Sequence, residues 1–345
     1  MSVNQAIVIH AARDLRVEDR AAETPGPGQV EITLKAGGIC GSDLHYYAHG
    51  GFGAVRLREP MILGHEVAGE VTGLGVGATG LALGDVVAVS PSRPCEACPQ
   101  CLAGRPNHCL NMRFYGSAMP MPHIQGAFRR KLIADASQCH KLHHRGADAG
   151  AFAEPLAVVL HGLKRAGDMM GAKALVTGCG PIGALAILAL KRAGAARIVA
   201  TDIAAAALAR AMDLGADEAI NIAERPEDLS AYGANKGTFD VMFECSGAPS
   251  AVVAGLEALR PGAVLVQLGL GAQASFPINL LVSKEIEMRG SFRFHPEFAH
   301  AVAMIDRAEI DPMPLLTHRF GLDRATEAFD MALDRRQAMK VQIAF

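Results

Sequence analysis

The sequence predicts an α/β chain in two parts: a glycine-rich, mostly antiparallel β segment, then a doubly wound parallel sheet covered by helices. Three observations predict it. The first half alternates apolar and polar residues in short runs separated by Gly and Pro turns. From about residue 150, short apolar strands alternate with helical runs, the pattern of strand–helix–strand units. A G-x-G-x-x-G turn lies where the first of those strands meets its helix.

At 345 residues the chain can bury two ordinary cores, and half of it is apolar. The net charge is -2, with acidic and basic residues interspersed. That balance argues against a nucleic-acid partner and against a basic membrane-binding face. Apolar runs such as 184–190 fall short of the roughly 18 residues that a membrane span needs. The N-terminus, MSVNQAIVIH, has no secretion-signal pattern. The expectation is a cytoplasmic protein. Four of the eight cysteines crowd into residues 95–109, which suits a metal site in a reducing compartment better than a disulfide framework.

Taken in order, 29–36, 69–72 and 85–89 read as strands of the first part. In the second part, 174–177 is a strand, followed by the glycine turn and a helix to Ala193. A strand at 197–201 leads to a helix over 204–214. Further strands are expected at 218–222, 239–245, 263–269 and 286–290, with a closing strand at 340–345. The domains expected are 1–150, completed by 291–345, and 151–290.

Gly178, Gly180 and Gly183, with Cys179, Pro181 and Ile182 between them, follow a strand and open a helix. Asp202 ends the next strand about twenty residues on, the spacing of a dinucleotide site. The first glycine makes the tight turn, the second admits the pyrophosphate and the third lets helix and strand pack. The N–H groups at the helix start then face the phosphates. A carboxylate at Asp202 accepts from a ribose 2′-OH and repels a 2′-phosphate, and no arginine follows it in 203–207. NAD is favoured, with NADP possible.

Cys95, Cys98, Cys101 and Cys109 can converge on one ion. Four thiolates with no open position suit a structural zinc, the alternatives being an iron–sulfur cluster or two redox disulfides. Cys40, His65 and a carboxylate from Glu66 or Glu154 would make a second, open zinc site. Cys139, Cys179 and Cys245 read as packing residues.

The run from Gly64 (GHEVAGEVTGLGVGA), with Gly84-Asp85 beyond it, resembles the zinc signature of the medium-chain dehydrogenase/reductase family. Cys40, the cysteine lobe and the nucleotide turn follow in that family's order over essentially the whole chain. The pairing of Gly-His-Glu with Glu154-Pro155-Leu156 is similar to the polyol, sorbitol-type branch. The segments GGICGSDLHYY (37–47), MRFYGSAMP (112–120), FAEPLAV (152–158) and GSFRF (290–294) tighten that likeness toward enzymes acting on sugar acids.

The resemblance implies a GroES-like catalytic domain and a Rossmann coenzyme domain, with two zincs per chain. It implies hydride transfer between a secondary alcohol of a sugar acid, or of a polyol, and NAD(P), in a homodimer or tetramer. Oligomers of the family join nucleotide-domain sheets at an edge strand, for which 263–269 is the candidate here. Cys40 and His65 would bind the catalytic zinc, while Glu66 and Glu154 divide the third position between direct ligation and the bound water. Ser42 would accept the substrate proton and His45 pass it to solvent. Leu268, Gly269, Ser291 and Phe292 would touch the coenzyme. Tyr46, Arg113 and Arg293 would touch substrate, Arg293 suiting a carboxylate through its fork of donors. The non-enzyme alternative is an inactive nucleotide-binding relative.

Overall fold

The computed structural model describes residues 3–271 and 275–345, and every count below refers to these. They form two units, Met1–Glu154 with Phe298–Phe345, and Pro155–Glu297. Glu154 thus belongs to the first unit and residues 291–294 to the second.

In the first unit a seven-stranded sheet runs Cys139–Leu142, Val86–Val89, Glu66–Leu74, Gln29–Gly38, Lys340–Ala344, Leu316–Gly321, with Lys131–Asp135 also pairing Gln29–Gly38. Its pairings are antiparallel except the one between the last two strands in that order. Gln29–Gly38 buries every second residue, Val30, Ile32, Leu34 and Ala36, as a strand with one face on a core must. That core gathers Ile7, Val87, Phe128, Phe329 and Ile343, all without solvent exposure. Each such side chain contributes about 1.5–3 kcal/mol by leaving water. Lys340–Ala344 places Gln342, Ile343 and Ala344 opposite Gly38, Gly37 and Ala36. The last strand therefore lies beside the segment that leads to Cys40. The hairpin Val3–Ala11 and Asp14–Ala21, joined by Met61–Ile62, went unnoticed in the sequence. Its outer strand is mostly polar and solvent-facing, which hides the period-2 signal.

The second unit is a six-stranded parallel sheet ordered Glu218–Asn221, Arg197–Asp202, Lys173–Thr177, Phe239–Glu244, Leu259–Gln267, Glu287–Gly290. Numbered along the chain this is 3-2-1-4-5-6, the doubly wound order in which a ligand meets the carboxyl ends of the strands where the order reverses. Ala174, Leu175 and Val176 are all fully buried, as in a strand covered on both faces. One expectation is corrected here. Residues 263–269 do not form an edge: Leu259–Gln267 pairs on both sides, and Glu287–Gly290 is the edge strand beside it, Glu218–Asn221 the opposite one. The later strand is short and half polar, so its pairing role was hidden.

Candidate active site

Cys40 stands immediately before the helix Gly41–His49. Asp43 fixes it there. The Asp43 Oδ2 accepts the Cys40 N–H at 3.0 Å, and its Oδ1 accepts the Gly64 N–H at 3.2 Å. This fully buried carboxylate also lies 3.7 Å from His65 Nδ1. One side chain thereby ties the Cys40 turn to the His65 turn. Sequence reasoning missed Asp43, although an acid three residues after a helix cap is a capping-box position.

The ligand atoms of Cys40, His65 and Glu66 lie within 4.8 Å of one another. His65 and Glu66 are buried, and the Phe114 ring packs 5.7 Å from the imidazole. Glu154, in the first turn of Ala153–Ala166, is buried outside that trio but close enough to be influenced by all three. Burial pushes the Cys40 thiol up to about 12, Glu66 adding to the effect, and burial pushes the Glu154 carboxyl up to about 8. A thiol, an imidazole and one carboxyl thus converge, with the buried Glu154 carboxyl near enough to feel their charges. His65 Nδ1 is left without a hydrogen-bond partner. Such a donor set fits a divalent zinc, which takes thiolate, imidazole and carboxylate together.

Among the described residues the side-chain cation paired with this group is Lys340, which sequence reasoning also missed. It is 3% exposed, forms an ion pair with Glu66 Oε2 and donates to the Ile39 carbonyl at 3.1 Å. No local motif marks it, because it arrives from the far end of the chain through the last strand. Lys340→Met removes the partner of a buried carboxylate, a change that costs about 3–5 kcal/mol. A fall in melting temperature is expected, larger in metal-stripped protein, where no bound cation compensates Glu66. Equal melting of variant and wild type in both forms would contradict the pairing.

The other expected residues separate. Ser42 and His45 lie three apart on one helix and so share a face. His45 is exposed, and desolvation, then His49 and Arg335, holds its pKa below the ordinary value. Tyr46 is 2% exposed, and its hydroxyl accepts the Ala118 N–H at 3.0 Å. It pins the 117–124 loop and offers little surface to a substrate. Arg113 is exposed and adjacent to Phe114 in a strand, so it projects from the face opposite His65.

In the second unit, Gly178 takes a φ of 85°. A Cβ on Gly183 would sit 1.8 Å from the Gly178 carbonyl oxygen, so the turn tolerates no side chain there. Gly180 precedes the helix Pro181–Arg192. Asp202 Oδ2 accepts the Cys179 N–H at 2.7 Å, and its Oδ1 accepts the Ile203 and Ala204 N–H groups at 2.7 and 2.9 Å. The carboxylate locks the glycine turn to the end of its own strand. The Leu268 and Gly269 N–H groups both donate to the Glu244 carbonyl at 2.9 Å, and Ser291 donates to Gln267 O at 3.0 Å. Phe292 is exposed, and the Arg293 guanidinium lies 4.9 Å over its ring.

The cysteine lobe forms a separate cluster. The Sγ atoms of Cys95, Cys98, Cys101 and Cys109 lie within 4.8 Å of one another. Cys98 Sγ is 3.6 Å from Cys101 Sγ and 4.0 Å from Cys109 Sγ, against about 3.8 Å for the edge of a zinc–thiolate tetrahedron. Backbone N–H groups of Cys95 and Asn111 point at Cys109 Sγ, and that of Leu110 at Cys98 Sγ. The Asn111 side chain, with the Ala97 N–H, draws the Cys95 thiol down to about 6. These donors favour thiolates at Cys95 and Cys98, while burial and the neighbouring sulfurs push the Cys101 thiol up to about 12. Cys139 and Cys179 are buried away from both clusters.

Residues 26–144 match the alcohol dehydrogenase GroES-like domain and residues 181–307 the zinc-binding dehydrogenase family. The chain is 40% identical over 343 residues to L-idonate 5-dehydrogenase (NAD(P)(+)) of Escherichia coli K12, covering 99% of this chain and 98% of that protein. It is 37% identical to sorbitol dehydrogenase of Gallus gallus, covering 99% of this chain and 96% of that one. The crystal structure of the Escherichia coli L-idonate 5-dehydrogenase superposes with a TM-score of 0.95 at 41% identity, over 100% of this chain and 99% of that one. No helix among the described residues is long and apolar enough to cross a membrane. The chain belongs to the polyol branch of the zinc-dependent medium-chain dehydrogenase/reductase family and is an NAD(P)-dependent oxidoreductase of CH–OH groups.

Proposed function

We propose that the chain interconverts L-idonate and 5-keto-D-gluconate with NAD(P). The observation that carries this reading is the full-length identity of 40% to L-idonate 5-dehydrogenase, joined by segments such as 37–47 and 290–294. The second reading, a neutral polyol as substrate, is favoured by the 37% identity to sorbitol dehydrogenase.

In this reading Cys40, His65 and Glu66 would hold the catalytic zinc, with Glu154 buried close by. Their mutual approach supports the choice of Glu66 over Glu154. Zinc in that site supplies a Lewis acid for the substrate oxygen, and the nicotinamide supplies the hydride acceptor. Ser42 takes the substrate hydroxyl proton and His45 hands it to solvent. Desolvation lowers the pKa of His45 and so favours the neutral ring, the form able to accept a proton. Arg293 binds the substrate carboxylate. Gly178, Gly180, Pro181, Ile182 and Gly183 cradle the pyrophosphate. Asp202 takes the ribose hydroxyl, which favours NAD over NADP.

Steady-state kinetics with L-idonate, sorbitol and L-iditol, each under NAD and NADP, test the reading. A kcat/KM for L-idonate at least about a hundredfold above either polyol is expected, the worth of a charge-assisted carboxylate contact. Turnover of the polyols without turnover of idonate would sink the sugar-acid reading and favour the second.

A further inference from the structure

Glu244 ends the strand Phe239–Glu244 with no solvent exposure. Its hydrogen-bond partners among the described residues are neutral donors. The Ser246 N–H lies 2.8 Å from Oε1, and the Gly247 N–H 3.0 and 3.1 Å from the two oxygens. Gln267 Nε2 donates to Oε2 at 2.5 Å, the Ser246 hydroxyl donates to Oε1, and Thr177 Oγ1 stands 3.5 Å away. Thr177 and Gln267 end the two strands that flank Phe239–Glu244. One carboxylate therefore joins the carboxyl ends of three adjacent strands, and its backbone carbonyl holds Leu268 and Gly269 as well.

The packing around it is close. A Cβ on Gly178 would come 2.7 Å from Ser246 Cβ, and one on Gly269 would come 2.6 Å from Glu244 Oε2. Gln267 turns its amide nitrogen to the carboxylate and leaves its own Oε1 buried without a partner. The carboxylate thus dictates that amide's orientation at the expense of an unsatisfied acceptor.

We infer that Glu244 is a positioning residue for the dinucleotide, its carboxylate setting the spacing between the 178–183 turn and the segment carrying Leu268 and Gly269. The inference rests on the assignment of the 178–183 turn to the coenzyme. Only a carboxylate presents two acceptor oxygens to so many donors. Glutamine has nearly the same volume but would turn an NH2 group toward an N–H or an amide nitrogen, forcing the loops apart. The strand order places Asp202 on one side of Lys173–Thr177 and Glu244 on the other. A dinucleotide spans that reversal, so its adenosine half meets Asp202 and its nicotinamide half the loops held by Glu244.

Glu244→Gln is tested by titrating NADH, read by its own fluorescence in a chain without tryptophan, and 5′-AMP, read by calorimetry. NADH affinity is expected to fall about tenfold and AMP affinity to change by less than about twofold, with both zincs retained. Should that variant fail to fold, Ser246→Ala and Gln267→Leu each remove one donor and are expected to weaken NADH about threefold while sparing AMP. Unchanged NADH affinity, or equal loss of NADH and AMP, overturns the role of Glu244. Gly180→Val tests the underlying assignment separately. A Cβ at this position meets nothing within 4 Å at an ordinary φ of -67°, so the turn accepts a side chain there while a close-lying pyrophosphate does not. Retention of NADH binding there would refute the site itself and not Glu244.

Discussion

Replacing Cys40 with alanine is expected to lower kcat/KM by about a thousandfold or more, equivalent to about 4 kcal/mol of transition-state stabilisation, in a protein that stays folded. The thiol is one of three ligand atoms gathered within 4.8 Å, and its loss leaves His65 and Glu66 without a third donor. The turn is held by more than the thiol, which itself accepts a backbone N–H of the helix start. Asp43 holds the backbone N–H of residue 40 and that of Gly64, and alanine keeps both. The zinc content should drop by one per chain, while the far-ultraviolet dichroism stays unchanged. Substantial turnover in the metal-deficient variant would remove Cys40 from the chemistry.

The second large effect falls on stability. Cys98→Ser is expected to lower the melting temperature by about 10 °C, corresponding to a few kcal/mol for a chain of this size, with loss of the other zinc. The lobe has scant apolar burial of its own. Leu102 is 76% and Leu110 69% exposed, and the helix Pro99–Leu102 buries no residue. Its order comes from the four sulfurs, the N–H groups aimed at them and the ion they suit. Molecules that remain folded should keep a near-normal kcat, because the closed cluster offers no open position. A normal melting temperature with the zinc gone would show that the lobe is held by other means.

The contrast between the two sites explains what could be read from the chain. Four cysteines within fifteen residues, and a glycine turn placed between strand and helix, are local patterns whose chemistry follows from spacing. The parallel strands were legible for the same reason, each being an apolar run with a turn at its end. Cys40, the His65-Glu66 pair and Glu154 lie far apart in the chain; their residue types allow an open zinc site, and the resemblance to a family is what joined them as one. Asp43 and Lys340 escaped even that. Asp43 reaches the Gly64 N–H across twenty-one residues of chain, and Lys340 reaches Ile39 across 301 residues. Glu244 escaped because a strand-end acid looks solvated until its neighbours fold over it. The edge of the parallel sheet was misplaced because pairing partners, unlike strands, leave no periodic trace.

The account rests on two metal centres with separate duties, one open and one closed. Metal analysis of the purified protein, by emission spectrometry against chain concentration, tests this most directly. Two zincs per chain are expected, falling to one in Cys40→Ala, with turnover lost, and to one in Cys98→Ser, with turnover kept in the folded fraction. A single zinc in the wild-type chain, or one that survives both replacements, would contradict the two-site architecture.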